Sequence, residues 1–560
     1  MFFPRYNSPS RDPSRSGIGS RESRVGGANG GEPRQFQPHP TPYTPNCYDE
    51  GRYQLQLATP GMETSPESAT SQPKSKVAIA SPALLWMMGG AIAIFLITSS
   101  LRHYMFQSTG FDLGIYDQVT YLMSQGQPPI SSILGFHHMG NHAAWSVYPL
   151  GLLYRIYPSV YWLLVVQAIS LAAGAWPTWS LARRAGLDDR TSLGMAAAYL
   201  LYPVVFNINL FDFHPEVMAL PALLAAILAA RRQKIFGFCA AILWVLGCKA
   251  VLSLTIIALG IWLLLFEKRR GCGAIALMAG SAWFVIVTQL IIPQFSGEEV
   301  AGVWRYTYLG NSVIEILINL FLKPQLVLGK LFSLETLDYL FVLALPVLWW
   351  LSPRHLTPLI PALPTLLVNS LSEVSFQRSL AYQYSIPVIP FLLLAAIASL
   401  AGNGNTLWGG LNHLWQKLRN TGNFPLSLPK AIVLWSLLIF MLYGKYGRFW
   451  VYSQRLDTWQ ATREAVAIVP PQTAVLTDNY LAPHLTHRRV LKLLSQVSAD
   501  GDLGEFDTVI LNRRHPWPDT VETGEAIARR LATDPEFQTV YQRDDAIVFQ
   551  RLDVREVSSE

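Results

Sequence analysis

Eleven apolar stretches recur between residues 77 and 447, at about 77–100, 157–182, 191–209, 216–231, 235–248, 250–266, 273–293, 337–352, 356–371, 384–401 and 430–447. A chain built this way has lipid as its main solvent, where every backbone N–H and C=O must find its partner within the segment. Helices meet that demand, so the series predicts an all-α polytopic membrane protein of about eleven transmembrane helices. Composition agrees: 14% of residues are charged and 51% hydrophobic, with a mean hydropathy of +0.26, against about 25% charged in soluble domains. Several stretches fall short of the ~20 residues that a perpendicular span needs. The pair around 235–266 reads either as two short helices or as one long broken segment. The net charge of +6 is spread over short loops rather than gathered in a stripe, which argues against nucleic acid as a partner. Cys47, Cys239, Cys248 and Cys272 form no close Cys-x-x-Cys pair, and they read as inert thiols.

Residues 1–76 are rich in Pro, Gly, Ser and Arg and hold no sustained apolar run, so they are expected to form a disordered cytoplasmic tail. No apolar core stands near 10–25, where a cleavable signal peptide would carry one, and the first stretch reads as an uncleaved anchor. With the N-terminus inside, the short inner loops hold Arg183, Arg184 and Arg190, then Arg231, Arg232 and Lys234, then Lys268, Arg269 and Arg270. The outer loops spread fewer cations over longer segments, as the positive-inside bias requires. The expected organisation is a membrane domain over 77–447 with a large first outer loop at 101–156. An odd number of spans then places 448–560 outside, where the pattern suggests a small extracytoplasmic α/β domain. Its strands are expected at 473–477 and 507–511, a helix at 525–531 and a closing hairpin at 537–552. A lid or docking domain is the modest reading.

The outer loops carry unusual polar residues. The first holds Asp112 and Asp117, five apart, which on a regular helix point to different faces. One would face a cavity while the other holds the loop. His138 and His142, four apart, have a spacing able to hold a divalent metal, although Gly140 between them weakens a regular helix. Asp212, His214 and Glu216 crowd a very short loop; ionisable groups at such depth usually face a cavity or a partner, while Glu216 also suits the first turn of a helix after Pro215. Lys249 interrupts an apolar run, so it either snorkels, pairs with a carboxylate or binds an anion. Arg305 and Arg378 sit among aromatics, which suits phosphate recognition or interface anchoring. Carboxylates supply a general base and cations neutralise a phosphorylated leaving group, so one face holding both would suit a lipid-phosphate substrate.

At these residues the chain resembles bacterial membrane proteins of domain-of-unknown-function family 2079, grouped with the GT-C glycosyltransferase superfamily. The resemblance rests on FDLGIYDQ (111–118), GNH (140–142), FDFHPE (211–216), RYTYLG (305–310) and YSIPVIPF (384–391), with VPPQTAV (469–475) and PHLTHRRV (483–490) beyond. It implies a GT-C fold and an enzyme that takes a sugar from a polyprenyl-phosphate donor on the outer membrane face, with membrane lipid as its surroundings. It also implies an aspartate of the first outer loop as base, carried over to Asp112 or Asp117, with Asp112 favoured as the nearer to the first span. Lys249, Arg305, Arg378, His214, Glu216 and Asp212 then become candidates for binding substrate or phosphate. No cofactor is certain, and a divalent metal at His138 and His142 stays open. Where the family often has acidic residues, this chain has Ala250 and Val251 after Lys249, and Asn141. A non-catalytic scaffold and a lipid or solute transporter are the alternatives; a transporter would place its polar groups near the bilayer midplane.

Overall fold

The computed structural model describes residues 81–297, 302–402, 405–419 and 426–552. The expected cytoplasmic tail at 1–76 lies outside them. Each of the eleven apolar stretches carries helix, from Pro82–Tyr104 at the start to Leu428–Tyr443 at the end. By length and composition, five described helices can cross a membrane: Pro82–Tyr104, Tyr161–Arg184, Arg270–Ser296, Gln383–Ala401 and Leu428–Ser453. Asp189–Leu200 and Pro203–Asn209, bent by 42°, would make a sixth if counted as one span. Of the roughly eleven expected helices, several whose apolar stretches are short in the sequence are short here too. Ile235–Leu246, Leu252–Leu265 and Thr357–Leu371 are apolar but short; Gly247 ends the first and Pro358 opens the third.

Helix Glu216–Arg231 lies at the centre of the largest apolar core, with Val217, Leu220, Leu223, Leu224 and Ile227 buried in it. Gln383–Ala401 is also enclosed, with 78% of its apolar window buried, whereas Pro82–Tyr104 is 17% buried and turns most of its side chains outward. A span surrounded by protein and a span surrounded by lipid are thus both apolar all round, and hydropathy cannot tell them apart. Leu252–Leu265 and Arg270–Ile286 approach closely because the contact is made by glycines: a Cβ on Gly260 would stand 2.6 Å from Leu277 N, and one on Gly280 2.9 Å from Ile257 N.

The C-terminal region folds as an open sheet with helix Val521–Leu531 packed beside it. Two short strands, β1 (Ile130–Ser131) and β2 (Phe136–His137), form a separate hairpin in the 105–160 loop. The sheet comprises β3 (Val475–Thr477), β4 (Leu491–Leu493), β5 (Thr508–Asn512), β6 (Phe537–Arg543) and β7 (Ala546–Arg551), in the order β4-β3-β5-β7-β6. Strands β3, β4 and β5 run parallel, and the β6–β7 hairpin closes the sheet antiparallel to β5. Strands β3 and β5, the helix and the β6–β7 hairpin lie at the expected stretches, while β4 falls where no strand is expected. One of its two apolar cores is shared: Phe106, Ile115 and Ile133 of the 105–160 loop pack with Val475, Leu491 and Ile510. A lid that swings free would have to expose that core to water, so this region is docked.

Candidate functional site

The segment Gly110–Ser124 carries both sequence-expected aspartates and sends them to different places. It opens with a wide helical turn, Gly110–Gly114, and continues as helix Ile115–Ser124. Asp112, with 27% of its side chain exposed, places Oδ1 3.0 Å from His214 Nε2. Asp117 is buried and faces the C-terminal region instead. The Tyr154 hydroxyl donates to its Oδ1 at 2.5 Å, the Thr486 hydroxyl donates to its Oδ2, and His487 Nε2 lies 3.3 Å away. The carboxylate of Asp117 is therefore engaged in holding the loop to the sheet domain, and it does not join Asp112.

The short loop after Asn209 is held open by a second buried aspartate. Asp212 pairs with Arg102 from the end of the first helix and accepts from Thr109 N at 3.1 Å and Thr109 Oγ1 at 2.9 Å. Its φ of 126° is a strained backbone for a residue other than glycine, and the clamp of bonds on its side chain holds it there. Asp212, expected to bind substrate, is thus consumed by the scaffold. The kink it makes turns His214 and Glu216 inward. His214 stacks on Phe211 (5.2 Å between centroids) and faces Asp112. Burial works against its charge, but Asp112 and then Glu216 outweigh it and raise its pKa above the ordinary imidazole value.

Glu216 opens its helix and pairs with Lys249, which sits in the break between Ile235–Leu246 and Leu252–Leu265. The break is braced from the 105–160 loop, where Ala250 N donates to His142 O at 2.9 Å and Ser146 N to Gly247 O at 2.9 Å. Gly247 is required here, because a Cβ would stand 2.3 Å from the Trp145 ring. Glu216 Oε2 and Arg305 Nε are buried and have no partner among the described residues. The Arg305 guanidinium lies between aromatic rings, 5.3 Å from Trp304, 5.6 Å from Tyr384 and 5.8 Å from Phe376, and Lys249 Nζ is 5.9 Å from the same Tyr384 ring. His142 belongs to this side of the cluster. Burial, then the charges of Lys249, Arg305 and His214, drives its pKa well below the ordinary value, so it is a neutral donor or acceptor.

Asp112, His214, Glu216, Lys249, Arg305 and His142 therefore converge from five segments. Arg378 does not join them. Its guanidinium donates to Ser372 O at 2.5 Å, to Asn369 O at 3.4 Å and to Glu335 at 2.9 Å, which closes a loop instead of leaving it free for phosphate. His138 turns the other way, against Tyr148 at 5.1 Å and His137 at 5.7 Å, and burial pushes its pKa down to about 3. Among the described residues no three His, Cys, Asp or Glu side chains are grouped to hold a metal ion. With Lys249 and Arg305 beside Glu216, the donor set suits an anion, and the His138–His142 pair gathers no third ligand.

Two site residues were passed over in the sequence. Tyr384 bridges the two cations, and Tyr116, inside the FDLGIYDQ stretch, is buried against Phe213 at 5.6 Å with Glu216 and Asp112 as electrostatic neighbours. Burial, then those two carboxylates, holds the phenol of Tyr116 protonated far above its usual range. A tyrosine in an aromatic-rich membrane protein gives no signal of its own, because the same residue marks any interface.

A family model described as "Predicted membrane protein (DUF2079)" matches residues 102–548. No curated protein matches the chain. Among solved structures, ArnT from Cupriavidus metallidurans bound to undecaprenyl phosphate superposes with a TM-score of 0.50 at 15% identity, over 84% of this chain and 98% of that one. The apo state of the same protein gives a TM-score of 0.46 at 13% identity, over 82% and 98%. The first likeness shows a fold shared with that protein.

Proposed function

The chain belongs to the DUF2079 family of predicted membrane proteins, and from that premise we propose that it is a multi-pass glycosyltransferase moving a sugar from a polyprenyl-phosphate donor to an acceptor on the extracytoplasmic face. The observation that carries this reading is the juxtaposition of a partly exposed carboxylate, Asp112, with a cation pair, Lys249 and Arg305, across His214 and Tyr384. The fold shared with ArnT, solved with undecaprenyl phosphate, supports a lipid phosphate as the charged half of the donor.

In the reaction the acceptor hydroxyl attacks the anomeric carbon as Asp112 takes its proton. The bond from that carbon to the phosphate oxygen breaks, and the lipid phosphate leaves with the electron pair, neutralised by Lys249 and Arg305. His214, whose charged form Asp112 and then Glu216 favour, lies against the Asp112 carboxylate and orients it. Loop charges support a cytoplasmic N-terminus and an extracytoplasmic site and sheet domain. The test is donor turnover: proteoliposomes of the wild type should consume a polyprenyl-phosphate sugar in the presence of acceptor-bearing membrane extract, and Asp112→Asn should not. Equal turnover by both would remove the mechanism.

A further inference from the structure

Helix Val313–Leu322 is amphipathic in reverse. Ile314, Leu317, Ile318, Phe321 and Leu322 follow the i, i+3, i+4, i+7, i+8 spacing of one helix face. In a globular fold that face is the buried one. Here all five are exposed, Phe321 by 83% and Leu322 by 70%, and neither this helix nor the next, Pro324–Leu331, contains a buried residue. At ten residues the first is too short to span a bilayer, a length that belongs to interfacial or re-entrant segments.

What covers this face follows from its surroundings. The chain comes from the span-length helix Arg270–Ser296 and leaves into Leu334–Ala344, whose Tyr339 and Leu343 are buried in the large apolar core, so the hairpin is carried beside the membrane helices. Exposed apolar side chains continue beyond it, with Phe332, Leu334, Leu337 and Phe341 also turned outward on the approach to and along the following helix. Lys323 stands at the turn between the two helices and Lys330 near the end of the second, where long cationic stems reach lipid phosphates. The inner side of the hairpin is tied to the RYTYLG stretch: Asn319 donates to Leu309 O at 2.5 Å, and Lys330 Nζ lies 5.9 Å from the Tyr308 ring.

We propose that residues 313–334 form a membrane-inserted collar, whose apolar face lies in the lipid leaflet on the side of the site and sets the depth of Arg305 at the headgroups. The partner is the acyl region of that leaflet, with anionic headgroups at the two lysines. This surface is independent of the reaction proposed above, because it concerns where the segment lies and not what the site does.

The experiment places p-benzoylphenylalanine at Ile318, at Phe321 and, as a polar control, at Gln325 of the full chain in nanodiscs of phosphatidylethanolamine and phosphatidylglycerol. Irradiation should give lipid adducts from 318 and 321, several-fold above those from 325. Dimeric protein adducts at 321 would assign the face to a second copy and overturn the proposal. Absent lipid adducts at all three positions would place the hairpin in water, and equal adducts at all three would remove the one-sided apolar face; either result overturns it. Replacing a residue that is already exposed leaves the packing untouched, so a misfolded variant does not confuse the outcome.

Discussion

Glu216 closes on Lys249 across 33 residues of sequence, and both side chains are nearly enclosed, at 5% and 12% exposure. Removing one partner of such a pair leaves a buried charge uncompensated, at a cost of about 3–5 kcal/mol. Lys249→Met and Glu216→Gln should each lower thermal stability in detergent, and the double variant should recover part of the loss. Undecaprenyl phosphate should stabilise the wild type and fail to stabilise the double variant. A double variant that still responds to the lipid would make the pair a purely structural one.

The two aspartates of Gly110–Ser124 should separate cleanly. Asp112→Asn changes a partly exposed residue at the site and should abolish sugar transfer with little effect on melting temperature. Asp117→Asn removes the charge that holds His487 and should speed hydrogen exchange in 484–490, the stretch that meets it. Gly110 N also donates to Asn479 O at 2.8 Å, so loosening the sheet domain should reach Asp112 as well, lowering turnover without abolishing it. Unchanged exchange in 484–490 would show that Asp117 does not hold the domain.

Arg305 and Arg378 both lie among aromatics in the sequence but differ in what they hold. Arg305→Ala should weaken undecaprenyl phosphate binding by an order of magnitude or more, since a charged hydrogen bond contributes about 1.5–3 kcal/mol. Arg378→Ala should destabilise the 369–378 loop and leave binding within about twofold, well under 1.4 kcal/mol. Binding measured by fluorescence competition distinguishes them, and equal losses would return Arg378 to the site.

The histidines of the site respond to pH with opposite signs. For His214 the folded-state pKa is raised, so its pairing with Asp112 stabilises the protein fully below about pH 6.5 and is lost as pH rises through the folded value. The stability difference between the wild type and His214→Gln should therefore shrink on going to alkaline pH. For His142 the folded-state pKa is lowered, so its neutral ring is accommodated above about pH 6.5 and costs stability below it. The difference for His142→Gln should move the other way, turning against the wild type as pH falls. Melting temperatures from pH 5 to 9 check both, and parallel trends would contradict the two assigned environments.

Much of the architecture is legible because lipid imposes a simple rule on composition. Apolar stretches mark the helices, and the Gly247–Cys248–Lys249 interruption marks the break that brings Lys249 beside Glu216. Span length is less legible, since an enclosed helix such as Glu216–Arg231 needs neither the length nor the outward apolar face of a lipid-exposed one. Side-chain partners are the least legible. Asp117 finds Thr486 some 370 residues away, and Asp212 is consumed by Arg102 from the first helix. Nothing local in either stretch separates a carboxylate that holds the fold from one that faces a substrate. The outward face of Val313–Leu322 is hidden for a similar reason, because the spacing reveals a stripe and not the side on which it is covered.

The central claim is that Asp112, His142, Glu216, Lys249 and Arg305 line one lipid-phosphate site. A polyprenyl phosphate carrying a photoreactive group next to its phosphate, irradiated with the full chain in nanodiscs and mapped by peptide mass spectrometry, tests it most directly. Adducts are expected in 140–146, 247–251 and 303–310, and undecaprenyl phosphate should compete them away. Labelling confined to lipid-facing positions such as Pro82–Tyr104, or labelling that excess undecaprenyl phosphate does not reduce, would contradict it.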